Sequence, residues 1–295
     1  MSNRMIRGRA DVAMDIVVYV IMILMSIIFL YPVVYAIANS FSGADAVLRR
    51  EVWLWPVDFT LQSYKLVMEH QYVLPAYWNT ILYTVLGTAY SLVLTVLGAY
   101  PLSRRYLPFR NLFMLVIAFT MMFSGGLIPT YLLVRDLGLV NKIWALVLPC
   151  AVTPFNLILL RTSMQEIPAA IEESAKIDGA NDWIILLRII LPMCMASLMT
   201  IALLYFVSKW NDWFNALIYL NDRSMYPVQL ILREILISND DKMLNQAMLR
   251  DAKSSVSSLG FKCAIMVIAI APLIMLYPFV QRFFVKGILV GAVKG

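Results

Sequence analysis

Long apolar runs separated by short charged stretches dominate the chain. A bilayer core of about 30 Å takes about 20 mainly apolar residues in a helix. Six runs approach that length, at residues 15–38, 80–102, 112–134, 143–160, 193–220 and 261–280. Gly and Pro are scattered through them, and the strict alternation of a membrane β-barrel strand is missing. The pattern predicts an all-α polytopic membrane protein with six transmembrane helices, forming a single transmembrane domain over residues 1–295.

The charged residues orient these spans. Lys and Arg resist translocation, so short cytoplasmic segments collect them. Arg4, Arg7 and Arg9 precede the first run, Arg104, Arg105 and Arg110 separate the second from the third, and Arg282, Lys286 and Lys294 follow the sixth; only Asp11 and Asp15 oppose them. The segments on the other side are nearly balanced in charge, so both termini are expected in the cytoplasm. Ala36-Ile37-Ala38 imitates a signal-peptidase site, but the apolar core before it is too long for a signal peptide and reads as a retained first span. Two long outer loops, 39–79 and 221–260, mix charge with Trp53, Trp55, Tyr226 and Leu230. They read as folded, either to dock an extracytoplasmic partner or to cap the helix bundle.

Composition narrows the function classes. Hydrophobic residues make up 61% of the 295 residues and charged ones 14%, outside the range of ordinary soluble domains. The formal charge of +6 flanks apolar segments instead of interleaving with exposed aromatics, so it reads as topology and not as a nucleic-acid surface. Cys150, Cys194 and Cys263 are few and widely spaced within apolar stretches, which suits small packing residues better than a disulfide framework or a metal set. The sole histidine, His70, leaves little room for a His-dependent catalytic triad.

The most informative stretch, 166–192, reads EIPAAIEESAKIDGANDWIILLRIILP. It lies between the fourth and fifth runs, on the cytoplasmic side. Pro168 suits a first helical turn, Ala169 onward are good helix formers, Gly179 stands where a left-handed cap is wanted, and Asn181 or Asp182 can cap a second helix. The local expectation is a short helix, a sharp turn, and a second helix running back to the membrane as far as Pro192. Small residues at Ala170, Ser174 and Ala175 allow close approach by another surface, and Glu172, Glu173 and Asp178 offer carboxylates to basic groups.

This stretch resembles the cytoplasmic signature of binding-protein-dependent ABC importer permeases: Glu-Ala-Ala, three residues, Gly, nine residues, Ile-x-Leu-Pro. Here it reads Glu173-Ser174-Ala175, Gly179 and Ile189-Ile190-Leu191-Pro192, with Ser174 for the middle Ala as the one departure. Asp178-Gly179-Ala180 extends the match. The resemblance covers nearly the whole chain and points to the carbohydrate-uptake branch, near the second maltose-type permease and permeases for polysaccharide fragments. Residues 210–217 (WNDWFNAL), 123–131 (FSGGLIPTY) and the ending 281–295 carry it.

Membership would make the elbow a coupling helix, with Glu172, Glu173, Ser174, Ala175, Asp178, Gly179 and Ala180 docking an ATPase. It implies a second homologous permease subunit, two nucleotide-binding ATPase subunits, an extracytoplasmic solute-binding protein, an oligosaccharide substrate and a bacterial inner-membrane location. Residues 291–295 would reach toward the ATPase interface. This chain has no Gly-rich phosphate loop followed by Lys and Ser or Thr, so it is expected to carry no cofactor and not to be an enzyme itself, with ATP and Mg held by the partner subunits.

A substrate pathway is sought where polar residues interrupt the fifth run. A charge near a helix centre costs about 2.5–3.5 kcal/mol on insertion scales, so Lys209 and Asp212 are expected to face protein or water. Their spacing puts them on one face with Tyr205, where they can neutralise each other; Asn211 and Asn215 line a neighbouring face. With Tyr131, Trp210 and Trp213 these residues either contact sugar or bind helices together. An ammonium at Lys209 would favour an anionic sugar. Gly125, Gly126 and Pro129 either break the third helix at a cavity or permit close packing. An ion-coupled secondary transporter and an intramembrane enzyme using Lys209 and Asp212 are the rival classes. Neither accounts for the elbow.

Overall fold

The computed structural model describes residues 9–237 and 257–292, and among them all regular structure is helical. Arg4, Arg7, residues 238–256 of the second outer loop and residues 293–295 of the tail lie outside the described residues. The chain divides into two compact units. One runs to His70 and includes Ile235–Ala269; the other is Gln71–Glu234 with the segment from Ile270 on.

The first unit begins with α1, Arg9–Ser40, whose most apolar stretch is not buried by the described residues of this unit. Only its end is enclosed, where Ala38 packs with Ala46, Val47 and Val52. The segment that follows, expected as an outer loop, is folded. Phe41 stacks on Phe59 and against Tyr64, Ser40 and Tyr64 share a hydroxyl contact of 2.8 Å, and the backbone of Thr60 donates to Phe41. Helix α8, Ser258–Ala292, enters this unit through Gly260, where an added Cβ would lie 3.0 Å from Ser257 Oγ and 3.3 Å from Ser63 Oγ.

The second unit is built around α2, Val73–Ser103. Its buried face runs through Ala76, Thr80, Thr84, Gly87, Ser91, Thr95 and Ala99 at helical spacing. These are small residues that let neighbouring backbones approach, as membrane helix packing requires. Against that face lie α5, Pro154–Gln165, and α7, Met195–Trp210. Between α2 and α5 the chain forms α3, Arg110–Met122, and α4, Leu127–Asp136; between α5 and α7 it forms α6, Ala169–Ile177.

The spans differ from six simple helices. Among the described residues, Met14–Ser40, Val73–Ser103 and Ser258–Leu276 are each long and apolar enough to cross a membrane; two bent pairs raise the number to five if each pair counts as one span. One is α3 with α4, bent by 112°. At the break, a Cβ on Gly125 would meet none of the described residues within 4 Å, whereas Gly126 holds φ +85. Backbone freedom, not close packing within the chain, is what Gly126 supplies. Pro129 then falls in the first turn of α4, where its missing N–H has no helical partner to lose.

The other bent pair, Asp182–Met193 with Met195–Trp210, turns by 84°. Residues 185–190 form a π-helical turn just before Pro192. Such a wide turn relieves the clash between a proline ring and the carbonyl four residues earlier. The expected fourth run is not a continuous helix at all. It comprises Trp144–Val147 and, after a non-helical stretch, α5 from Pro154. Pro149 and Pro154 withhold two backbone donors, which hydropathy does not register. Of the cysteines, Cys194 and Cys263 are buried as packing residues, but Cys150 is exposed.

Candidate functional site

The elbow forms from local chemistry. Pro168 has ψ 132, so it stands just outside α6 as its N-cap instead of within the first turn. The helix ends in a left-handed cap: Gly179 has φ +82, Ala180 N–H donates to Ala175 C=O at 2.9 Å, and Gly179 N–H donates to Lys176 C=O at 3.1 Å. These paired bonds satisfy carbonyls that the helix end would otherwise leave open. Of the two expected caps for the next helix, Asn181 takes the role, its Oδ1 accepting from Ile184 N–H at 2.9 Å.

Around this turn the expected docking residues divide. Glu173, Ser174, Asp178 and Gly179 are exposed, Ala180 is half-buried, and Glu172 and Ala175 face inward. Glu172 is 7% exposed and pairs with Arg104, which is also 7% exposed and directly follows α2. Sequence reasoning missed the apolar part of the outward face, Ile177 at 86% and Trp183 at 61% exposure. Both fit ordinary helix patterning, although Ile177 beside a charged turn is a readable signal.

The polar residues around the end of α7 also divide. Tyr205 and Trp210 are each 2% exposed. The Tyr205 hydroxyl meets Thr95 Oγ1 at 2.8 Å and accepts from Thr153 N–H at 3.0 Å. Trp210 lies parallel to Phe206 and edge-on to Tyr77. Asn211 Nδ2 donates to Val207 C=O at 2.9 Å, and Asp212 Oδ1 accepts from both the backbone and the side chain of Asn215. Tyr131 stacks on Tyr219, and the Arg233 guanidinium lies 4.4 Å over the Trp213 ring. Asn211 is exposed; Tyr131, Lys209, Asp212, Trp213 and Asn215 are half-buried.

Lys209 and Asp212 line one small cavity with Thr80, Tyr83, Leu146 and Pro227. The two charges nonetheless take separate partners there, since Lys209 Nζ donates to Leu146 C=O at 2.8 Å. The lysine stem rests on Gly87, where an added Cβ would lie 3.2–3.4 Å from Lys209 Cδ, Cε and Cγ. Gly87→Val is therefore expected to push Lys209 off Leu146 and to cost about 1–3 kcal/mol through overpacking. In a thermal-unfolding cycle with Lys209→Ala, the double variant should recover part of that loss; strictly additive costs would show that the two positions do not compete for space. A larger open cavity of about 520 Å³ is lined by Asn79, Tyr83, Asn141, Lys142, Trp144 and Met225, among others. Its residues come from three separate segments, so no sequence pattern announced it.

Comparison with known proteins adds a family. The model described as "Binding-protein-dependent transport system inner membrane component" matches residues 1–290. Protein LplC of Bacillus subtilis (strain 168) is 42% identical over 264 residues, covering 90% of this chain and 89% of LplC. The polygalacturonan/rhamnogalacturonan transport system permease protein YtcP of the same organism is 39% identical over 281 residues, 95% of this chain and 98% of YtcP. Among solved structures, a chain of a bacterial ABC transporter involved in the import of the acidic polysaccharide alginate is 37% identical. It superposes with a TM-score of 0.88 over 94% of this chain and 98% of its own.

Proposed function

The chain belongs to the binding-protein-dependent transport system inner membrane components, and from that membership we propose that it is the membrane-spanning subunit of an ATP-driven importer of oligosaccharides, acidic polysaccharide fragments among them. As a member it is a multi-pass protein of the bacterial inner membrane. The observation that carries the proposal is the elbow: a short helix closed by a left-handed glycine cap, with Glu173, Ser174, Ile177 and Asp178 on its outward face. The alginate importer, similar over almost the full length, supports the acidic substrate class.

In this reading the whole chain works as one permease with six membrane crossings and both termini in the cytoplasm. The elbow then faces the cytoplasm and seats in one of two nucleotide-binding subunits. A second, homologous permease completes the pathway, and an extracytoplasmic binding protein delivers the oligosaccharide. ATP and Mg belong to the ATPase subunits. Closure of those subunits around ATP moves the elbow, and the polar residues around the end of α7, Lys209, Asn211, Asp212 and Asn215, border the route that opens together with Tyr131 and Trp213.

The test is ATPase activity of the complex copurified through this chain and reconstituted in lipid, measured with a binding protein loaded with acidic or neutral oligosaccharide. Several-fold stimulation by the acid-loaded protein is expected. Equal response to both loads would remove the acidic preference, and a well-folded preparation with no associated ATPase would favour an ion-coupled transporter instead.

A further inference from the structure

We propose that the Arg104–Glu172 ion pair is the link through which movement of the elbow reaches α2. The inference rests on the elbow being the ATPase-docking element, and it assigns positioning roles to two residues that do not face the docking surface. Both side chains are more than nine-tenths buried, and Arg104 Nη1 bonds Glu172 Oε2. The Arg104 guanidinium also lies 4.6 Å over the Tyr100 ring, so it joins the last turn of α2 to the first turn of α6.

Other bonds fix the same end of α2 to the segment that leads into the elbow. Arg161 Nε on α5 donates to Leu102 C=O at 3.2 Å, and Gln165 Nε2 donates to Ser103 C=O at 3.3 Å. Cationic and amide donors at the C-terminal carbonyls of a helix satisfy its open acceptors and its dipole. On the far side of the pair, Lys176 Nζ lies 3.4 Å from Glu172 Oε1 and 3.6 Å from Asp182 Oδ1, which brings in the start of the next helix. The chain of contacts therefore runs from α2 through Arg104, Glu172 and Lys176 to Asp182.

Stability alone is a poor account of this pair. Among the described residues, Arg104 Nε and Nη2 and the Tyr100 hydroxyl have no hydrogen-bond partner, and a buried ion pair with unmet donors recovers its desolvation cost poorly. What the pair supplies is direction. A charged, planar contact holds α6 at one angle to α2, while Ala175 and Ala180 pack in the same core as Ala99 and Tyr100 without fixing that angle.

The test compares Glu172→Gln, Arg104→Lys and the exchanged pair Arg104→Glu with Glu172→Arg, using two readouts. The first is amide hydrogen exchange over residues 166–192 in the purified chain in lipid, which needs no ATPase. The second is substrate transported per ATP hydrolysed in the reconstituted complex. Glu172→Gln should raise elbow exchange by about tenfold or more and lower the transport ratio with the ATPase still bound; the exchanged pair should restore both in part. Unchanged exchange and an unchanged ratio in Glu172→Gln would overturn the proposal, as would an exchanged pair no better than either single variant. A wild-type chain that binds no ATPase would instead refute the docking role of the elbow, and the exchange readout would still judge the ion pair.

Discussion

Ile177→Asp is expected to strip the proposed ATPase from the purified complex while leaving the chain folded. Ile177 is the most outward apolar residue of the elbow, at 86% exposure, and it immediately precedes the exposed Asp178-Gly179 turn. An exposed aliphatic side chain contributes little to the fold that carries it, so the substitution falls among surface changes worth about 0.5 kcal/mol or less. At the centre of a docking contact the same change buries an unpaired carboxylate, and anchors of this kind cost about 2 kcal/mol or more when lost. Copurified ATPase should thus fall more than about tenfold. Leu48→Asp, at 73% exposure on the first unit, should leave it unaffected; retention of ATPase by Ile177→Asp would remove the elbow tip from the interface.

Trp210→Ala should have the largest effect on the fold. The indole is 2% exposed, parallel to Phe206 and edge-on to Tyr77, with ring centroids 5.9 Å apart in both pairs. Its removal leaves a cavity that backbone relaxation cannot fill, at a cost of about 3–5 kcal/mol. Trp213, half-buried beneath Arg233, should cost far less on the same change. Thermal unfolding in lipid or detergent checks both; equal losses would mean that Trp210 does not anchor the core. The contrast also separates packing from transport, since loss of turnover in Trp213→Ala at unchanged stability would put that ring on the substrate route.

What the sequence made legible follows the range of the interactions involved. The elbow could be read because its determinants are local: Gly179 is needed for φ +82, and Asn181 satisfies an amide three residues on. The apolar, helical character of the runs was legible, but not their backbone continuity. Hydropathy adds up residues, while Gly126, Pro149, Pro154 and Pro192 act on the main chain. The inward turn of Glu172 depends on Arg104, 68 positions earlier in the chain, and no periodicity within the elbow encodes it. Lys209 and Asp212 line one cavity, but Asp212 lies beyond the end of α7, and each bonds another group, Leu146 C=O for one and Asn215 for the other.

The exposure of α1 bears on how the protein is made. A helix whose apolar stretch gains no burial from the described residues of its own unit, and whose backbone bonds are internal, is at home in lipid as soon as it leaves the ribosome. The α3 and α4 pair has no such independence, because the carbonyls and amides of Ser124 and Gly125 lie outside any helix and need protein or water beside them. Biogenesis is then unequal along the chain: the first span can be handed to the bilayer alone, while the broken one has to wait for the neighbours that shelter it.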